Sequence, residues 1–142
     1  MNKQVMFSSK SDCWETPQDL FDKLNRQYKF NLDVCALEEN AKCKDYFTPE
    51  IDGLAQEWHG VCWMNPPYGR EIVKWIKKAY EEAMRKGNCT VVALLPARTD
   101  TKWFHEYIYE MNGVSVEFIK GRLKFGGATN SAPFPSMIVK FN

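Results

Sequence analysis

The chain has 142 residues, 44% of them apolar and 14% aromatic, and its 19 basic and 18 acidic side chains leave a net charge of +1. That is material for one ordinary domain with a real core. It excludes a disordered polymer, a passive basic coat for nucleic acid and, with no apolar run near about 18 residues, a membrane span.

Residues 1–12 are polar and lack the apolar stretch of a signal peptide. They read as a flexible lead-in to a domain over 13–142, with the cytoplasm as the default location. Thr16 and Pro17 carry the signals of a helix N-cap and first helical position. Leu20, Phe21, Leu24 and Tyr28 then fall on one helical face, and the helix should end near 27–29. Residues 30–35 alternate as a strand with Asp33 near its carboxyl end. A short helix over 38–43, a strand over 45–48 and a helical turn over 54–58 follow, with Asp52-Gly53 as a turn signal. Val61–Met64 reads as a buried strand that Pro66 and Pro67 terminate.

Ile72, Val73, Ile76, Ala79, Tyr80, Ala83 and Met84 mark the clearest helix, over 71–86, with Gly87 as its terminator. Thr90–Leu95 is the near-continuous apolar run of a strand buried on both faces. Thr99 or Asp100 should cap another helix, and strands are expected over 114–119, 122–125 and 137–141. Alternation of helix and strand, then a closing run of strands, predicts an α/β domain: a mostly parallel sheet with an antiparallel C-terminal edge. Five cysteines, an odd number without C-x-x-C spacing, suit neither a disulfide framework nor a zinc site. His59 and His105 have no ligand-like spacing either, so no metal is expected.

The candidate catalytic element is Asn65-Pro66-Pro67-Tyr68, a stiff peptide at the carboxyl end of a strand, where open α/β sheets bind ligands. A chain of this length would carry it by chance on the order of once in a thousand. An aromatic amine is a poor nucleophile, because its lone pair is delocalised into the ring. To attack a methyl group it needs both hydrogens engaged and the lone pair aimed at the donor. The Asn65 amide oxygen and the Pro66 carbonyl can accept those hydrogens, so catalysis would act through position and electrostatics. Tyr68 could stack on a base flipped out of a duplex. Asp33, at its strand end, could bind ligand hydroxyls or an ammonium group, or simply cap the next segment. Asp52 could accept from an adenine amino group, or belong to an ordinary turn.

The tetrapeptide has the N-P-P-Y form of the amino-methyltransferase motif. Together with 14–17, 32–36, 39–43, 46–48, 52–54, 95–100, 121–125 and 131–136, it makes the chain resemble the phage-type DNA N6-adenine methyltransferases (Dam-like) over about residues 12–141. The resemblance implies a Rossmann-like methyltransferase fold, S-adenosylmethionine as donor, adenine in double-stranded DNA as acceptor, and a phage- or prophage-encoded enzyme acting in a bacterial host. It implies that Trp14, Thr16 and Pro17 meet the donor's methionine end, and that Asp33, Ala36, Asp52 and Leu54 line the rest of its site. The G-x-G that many methyltransferases carry after the first strand is absent, with Ala36 in that place. Arg98, Lys102, Arg122 and Lys124 are candidates for DNA phosphates if their strand ends share a rim with Tyr68. The lysines of 74–86 read as a solvated helix face. A glutamine amide in protein or an amine in RNA poses the same chemical problem, and a non-catalytic nucleic-acid binder is a third reading. Specificity is expected from the loops over 97–102 and 126–135.

Overall fold

The computed structural model describes residues 13–142, so the expected lead-in over 1–12 lies outside the described residues. The chain runs through helix α1 (Gln18–Tyr28), strands β1 (Leu32–Asp33), β2 (Asp45–Tyr46) and β3 (Gly60–Met64), and helix α2 (Ile72–Tyr80). Strand β4 (Cys89–Pro96), helix α3 (Lys102–Tyr107) and strands β5 (Val114–Phe118) and β6 (Ser136–Phe141) complete it. The six strands form one sheet in the order β2-β1-β3-β4-β6-β5. β1, β2, β3 and β4 are parallel, and β6 is antiparallel to both β4 and β5.

The expected antiparallel C-terminal edge is present as the β6–β5 end of the sheet, but the two strands are not in chain order. The edge strand is β5, which runs parallel to β4, and the antiparallel strand β6 fills the slot between them. Burial explains the exchange. Met137, Val139 and Phe141 are completely buried, whereas β5 alternates half-buried and exposed residues and suits an edge. β4 is the central strand, with Val91, Val92, Ala93, Leu94 and Leu95 all completely buried, as its apolar run predicts.

Other differences are local. Residues 122–125 alternate like a strand but join no ladder; Leu123 only accepts from the Ala132 N–H at 2.7 Å. The helix expected over 38–43 is a single 3-10 turn, Glu38–Asn40, closed by the Asn40 side chain on the Leu37 N–H. Thr101 rather than Thr99 or Asp100 caps α3, its hydroxyl accepting from the Phe104 N–H. α2 continues as a π-helical turn, Glu81–Arg85. α1 lays Phe21 edge-on against Trp63 of β3, at 5.4 Å between ring centres, which fixes the helix over the sheet. β2 and β3 flank β1 on opposite sides, so the chain reverses direction across the sheet beyond Asp33, the kind of place where open α/β sheets form a ligand crevice.

Candidate active site

Asp33 and Trp63 are partners across β1 and β3, which sets Asp33 and Asn65 at neighbouring strand ends. Asn65 follows β3 directly, and its amide is held from the amino-terminal segment. Nδ2 donates to the Trp14 carbonyl and, at 2.9 Å, to the Thr16 hydroxyl. The Trp14 carbonyl can only accept, so the nitrogen must face it and the orientation of the amide is determined. Oδ1 then points away, buried and without a hydrogen-bond partner among the described residues. A buried acceptor left unpaired costs about 1–3 kcal/mol. The oxygen is therefore open to a donor from outside the chain.

Thr16 is thus not the helix cap that its sequence suggests. Pro17 occupies the cap position of α1 with no side-chain hydrogen bond, and the Thr16 hydroxyl serves Asn65 instead. Trp14 meets Phe125 at 5.4 Å and Phe134 at 5.1 Å, both edge to face, and the Gly126 N–H donates to the Glu15 carbonyl at 2.9 Å. The loop after β5 is therefore clasped onto the segment that holds Asn65. Tyr68 lies beneath it. Its ring is buried, with the hydroxyl donating to the Leu94 carbonyl at 3.0 Å and its edge against Phe134 at 5.6 Å. Pro66 is buried and Pro67 half-buried.

Asp33 is 3% exposed and already employed. Oδ1 accepts from the Cys35 N–H at 3.2 Å and Oδ2 from the Lys42 N–H at 3.0 Å, so it ties the 35–42 loop to β1. Burial pushes its carboxyl up to about 6, against those two N–H groups and the Lys42 charge, which pull it down. A carboxylate has about four lone-pair sites, so acceptor capacity remains. The Ala36 N–H is spent on the Phe47 carbonyl, and the Leu54 N–H on Asp52 Oδ1. Neither N–H is left to donate to a ligand, and their side chains can offer only apolar contact. Asp52 is exposed, with a left-handed backbone (φ 62°).

The Asp52–Leu54 turn is fastened to β1 by Gly53: a Cβ there would lie 2.2 Å from the Val34 carbonyl oxygen. Two residues without a motif hold this turn. Trp58 Nε1 donates to the Gly53 carbonyl and its backbone N–H to Glu82 Oε1, each at 2.9 Å. Glu82, on the π-helical turn, is balanced by Lys86 at 2.7 Å and Lys78 at 3.5 Å. Composition gave no sign of these two; only the tertiary contacts reveal them.

The cation candidates divide. Arg98 follows β4 and is exposed, and Lys102 pairs with Glu106 at 3.4 Å. Arg122 and Lys124 lie elsewhere, beside Pro17 and α1. Among the described residues no cluster of three or more His, Cys, Asp or Glu could hold a metal, and no helix is long and apolar enough to cross a membrane.

Residues 3–139 match the family described as DNA N-6-adenine-methyltransferase (Dam). The DNA N-6-adenine-methyltransferase of Haemophilus phage HP1 (strain HP1c1) is 35% identical over 151 residues, covering 99% of this chain and 84% of that protein. The protein of the same name from Escherichia phage T1 is 37% identical over 98 residues, covering 67% of this chain and 40% of its own length.

Proposed function

This chain belongs to the DNA N-6-adenine-methyltransferase (Dam) family, and from that premise we propose how its residues methylate the N6 amine of adenine in DNA, with S-adenosylmethionine as the donor. The observation that carries the mechanism is the amide of Asn65. Its nitrogen is anchored twice and its oxygen is buried and unpaired among the described residues. That oxygen accepts one N6 hydrogen of the adenine, and the Pro66 carbonyl accepts the other. With both hydrogens engaged, the nitrogen lone pair is turned out of the ring and toward the donor. No residue needs to ionise, so the contribution is fixed position and fixed dipoles.

The donor supplies an electrophilic methyl group on a positively charged sulfur. Asp33, Ala36, Asp52 and Leu54 would hold it, with Trp14 and Pro17 at its far end. The residues fit such a group: Asp33 is a buried acid at the point where the sheet reverses, raised to about 6 by burial, with lone pairs still unused. In the transfer the N6–carbon bond forms as the sulfur–carbon bond breaks, the electron pair returns to sulfur, and one N6 proton leaves to solvent.

Adenine in a duplex cannot reach a buried oxygen, so the base is flipped out of the stack. Stacking on Tyr68 is part of this proposal, and Phe134, whose ring lies against Tyr68, is the residue that must move aside. The test is to incubate the purified protein with methyl-labelled S-adenosylmethionine and, separately, duplex DNA, RNA and protein. Label should appear as N6-methyladenine in DNA alone. Asn65→Ala should lose about a hundred- to a thousandfold in rate, in line with losing an oriented dipole, while keeping its circular-dichroism spectrum. Near-full activity of that variant would refute the mechanism.

A further inference from the structure

We propose that the groove between α1 and residues 121–125 seats the DNA backbone phosphates beside the target adenine, with Lys23, Arg122 and Lys124 as its cations; this rests on the function proposed above. The groove has a volume of about 330 Å³, and Leu20 and Leu123 contribute its apolar lining. Pro17 also lines it, and Pro17 directly follows Thr16, the residue that holds Asn65. The groove therefore adjoins the catalytic amide. Three cations and one acid, Asp19, line it, a local excess of two positive charges (3 − 1 = 2) in a chain whose total is +1.

Among the described residues, none of Lys23, Arg122 and Lys124 makes an ion pair, and Asp19 pairs with none of them. Among the described residues most basic side chains lack an ion pair, Arg26, Lys44, Arg70, Lys77 and Lys120 included, so what distinguishes Lys23, Arg122 and Lys124 is that one groove gathers them. Arg122 and Lys124 are exposed and alternate with half-buried Leu123 and buried Phe125, so at i and i+2 they share the outer side of this segment. Arg122 is steadied by a long contact of 3.5 Å from its guanidinium to the Ala132 carbonyl. That aligns the fork without consuming its charge.

One carboxylate of a small cofactor would call for one cation. Three unneutralised, exposed cations along a groove match a polyanion. From the groove the loop crosses Trp14 through Phe125 and Phe134 and reaches β4, where the Ala97 N–H donates to the Pro135 carbonyl. A strand of DNA lying in the groove would therefore approach the aromatic cluster from its α1 side. These contacts touch backbone only, so they position the duplex and carry no sequence preference.

The test is binding of a fluorescent adenine-containing duplex by anisotropy over a range of salt. The K23A/R122A/K124A variant should lose about 0.9 per contact from the slope of log K against log[salt], about 2–3 in all. Its KM for S-adenosylmethionine should stay within about twofold, since the proposal gives the cations to DNA and not to the donor. K74A/K77A, on the outer face of α2, should keep the wild-type slope. Should the triple variant fold poorly, K23Q/K124Q changes two exposed side chains and should lower the slope by about 2. An unchanged slope in a folded variant overturns the proposal. So does a raised KM for S-adenosylmethionine with DNA binding intact, which would assign the cations to the donor. A wild-type protein that binds duplex in this salt-dependent way but transfers no methyl group would refute the proposed reaction and leave the groove standing.

Discussion

Asn65 has a donating end and an accepting end; the Trp14 carbonyl decides which of them faces away, and Thr16 steadies the amide in that orientation. With the hydroxyl in place, Nδ2 has two acceptors on one side. Thr16→Val keeps the shape and removes one of them. The amide is then held by the Trp14 carbonyl alone and can swing. We expect kcat to fall about 10–100-fold with little change in either KM, because a misoriented dipole affects the transition state more than binding. Stability should fall by about 1 kcal/mol for the lost hydrogen bond, and Thr16→Ser should restore most of the rate in single-turnover measurements. A fully active Thr16→Val would remove Thr16 from the mechanism. Asp33 makes a different prediction. Its carboxyl rises from 3.8 to about 6 on folding, so the folded state favours the protonated form. The stability this provides is complete below about pH 4 and is lost as pH rises through about 6, up to about 3 kcal/mol at the limit. Asp33→Asn should flatten that part of the curve, read from denaturation midpoints at pH 4, 5, 6 and 7; an unaltered curve would mean the burial cost lies elsewhere. The stiffness of Asn65-Pro66-Pro67-Tyr68 is legible because proline acts on its own backbone. The duty of Thr16 is not, because its partner is 49 residues away and a hydroxyl before proline looks the same whether it caps a helix or orients an amide.

At the scale of elements, the long periodic ones are legible and the short ones are not. α2 and β4 bury faces that their own sequences advertise, such as Ile72, Ile76 and Ala79 on α2 and the unbroken run of β4. β1 and β2 have two residues each and exist because their neighbours pair with them. Residues 122–125 show the converse: they alternate in exposure yet pair with no strand. The π-helical turn at Glu81–Arg85 is likewise invisible to a 3.6-residue period, and it is where Glu82 meets the backbone of Trp58. Through Trp58 Nε1 and the Gly53 carbonyl, α2 supports the turn that carries Asp52 and Leu54. Glu82→Ala leaves the buried Trp58 N–H unpaired and strips Lys78 and Lys86 of their partner, so a loss of about 1–3 kcal/mol is expected. Glu82→Gln keeps an acceptor for Trp58 and should lose less. If the turn holds the donor, the surviving folded Gln variant should show a raised KM for S-adenosylmethionine with kcat nearly unchanged. Equal effects on both constants would make Glu82 purely a folding residue.

At the scale of the whole molecule, the α/β class and the mostly parallel sheet follow from element order, but strand order does not. β6 is last in the chain and second from the edge, because its completely buried residues need two neighbours and the half-exposed β5 needs one. That arrangement sends the loop from β5 to β6 back over the strand ends, where Phe125 and Phe134 close on Trp14 and Tyr68. The acceptor oxygen of Asn65 is buried in the same region, so a paired adenine can reach it only by leaving the duplex while the aromatic cluster opens. Both steps oppose binding, and only the first depends on the DNA. Unstacking and unpairing a base costs a few kcal/mol, and a mismatch has already lost part of it. A duplex with its target adenine mispaired should therefore bind at least about tenfold more tightly than the matched duplex, since 1.4 kcal/mol is a factor of ten. The preference should survive in Asn65→Ala, which under the proposed mechanism removes the chemistry and leaves the cleft. Competition binding with the two duplexes reads this directly. Equal affinity for both would mean that the base stays in the stack when the complex forms, and that flipping belongs to a later step.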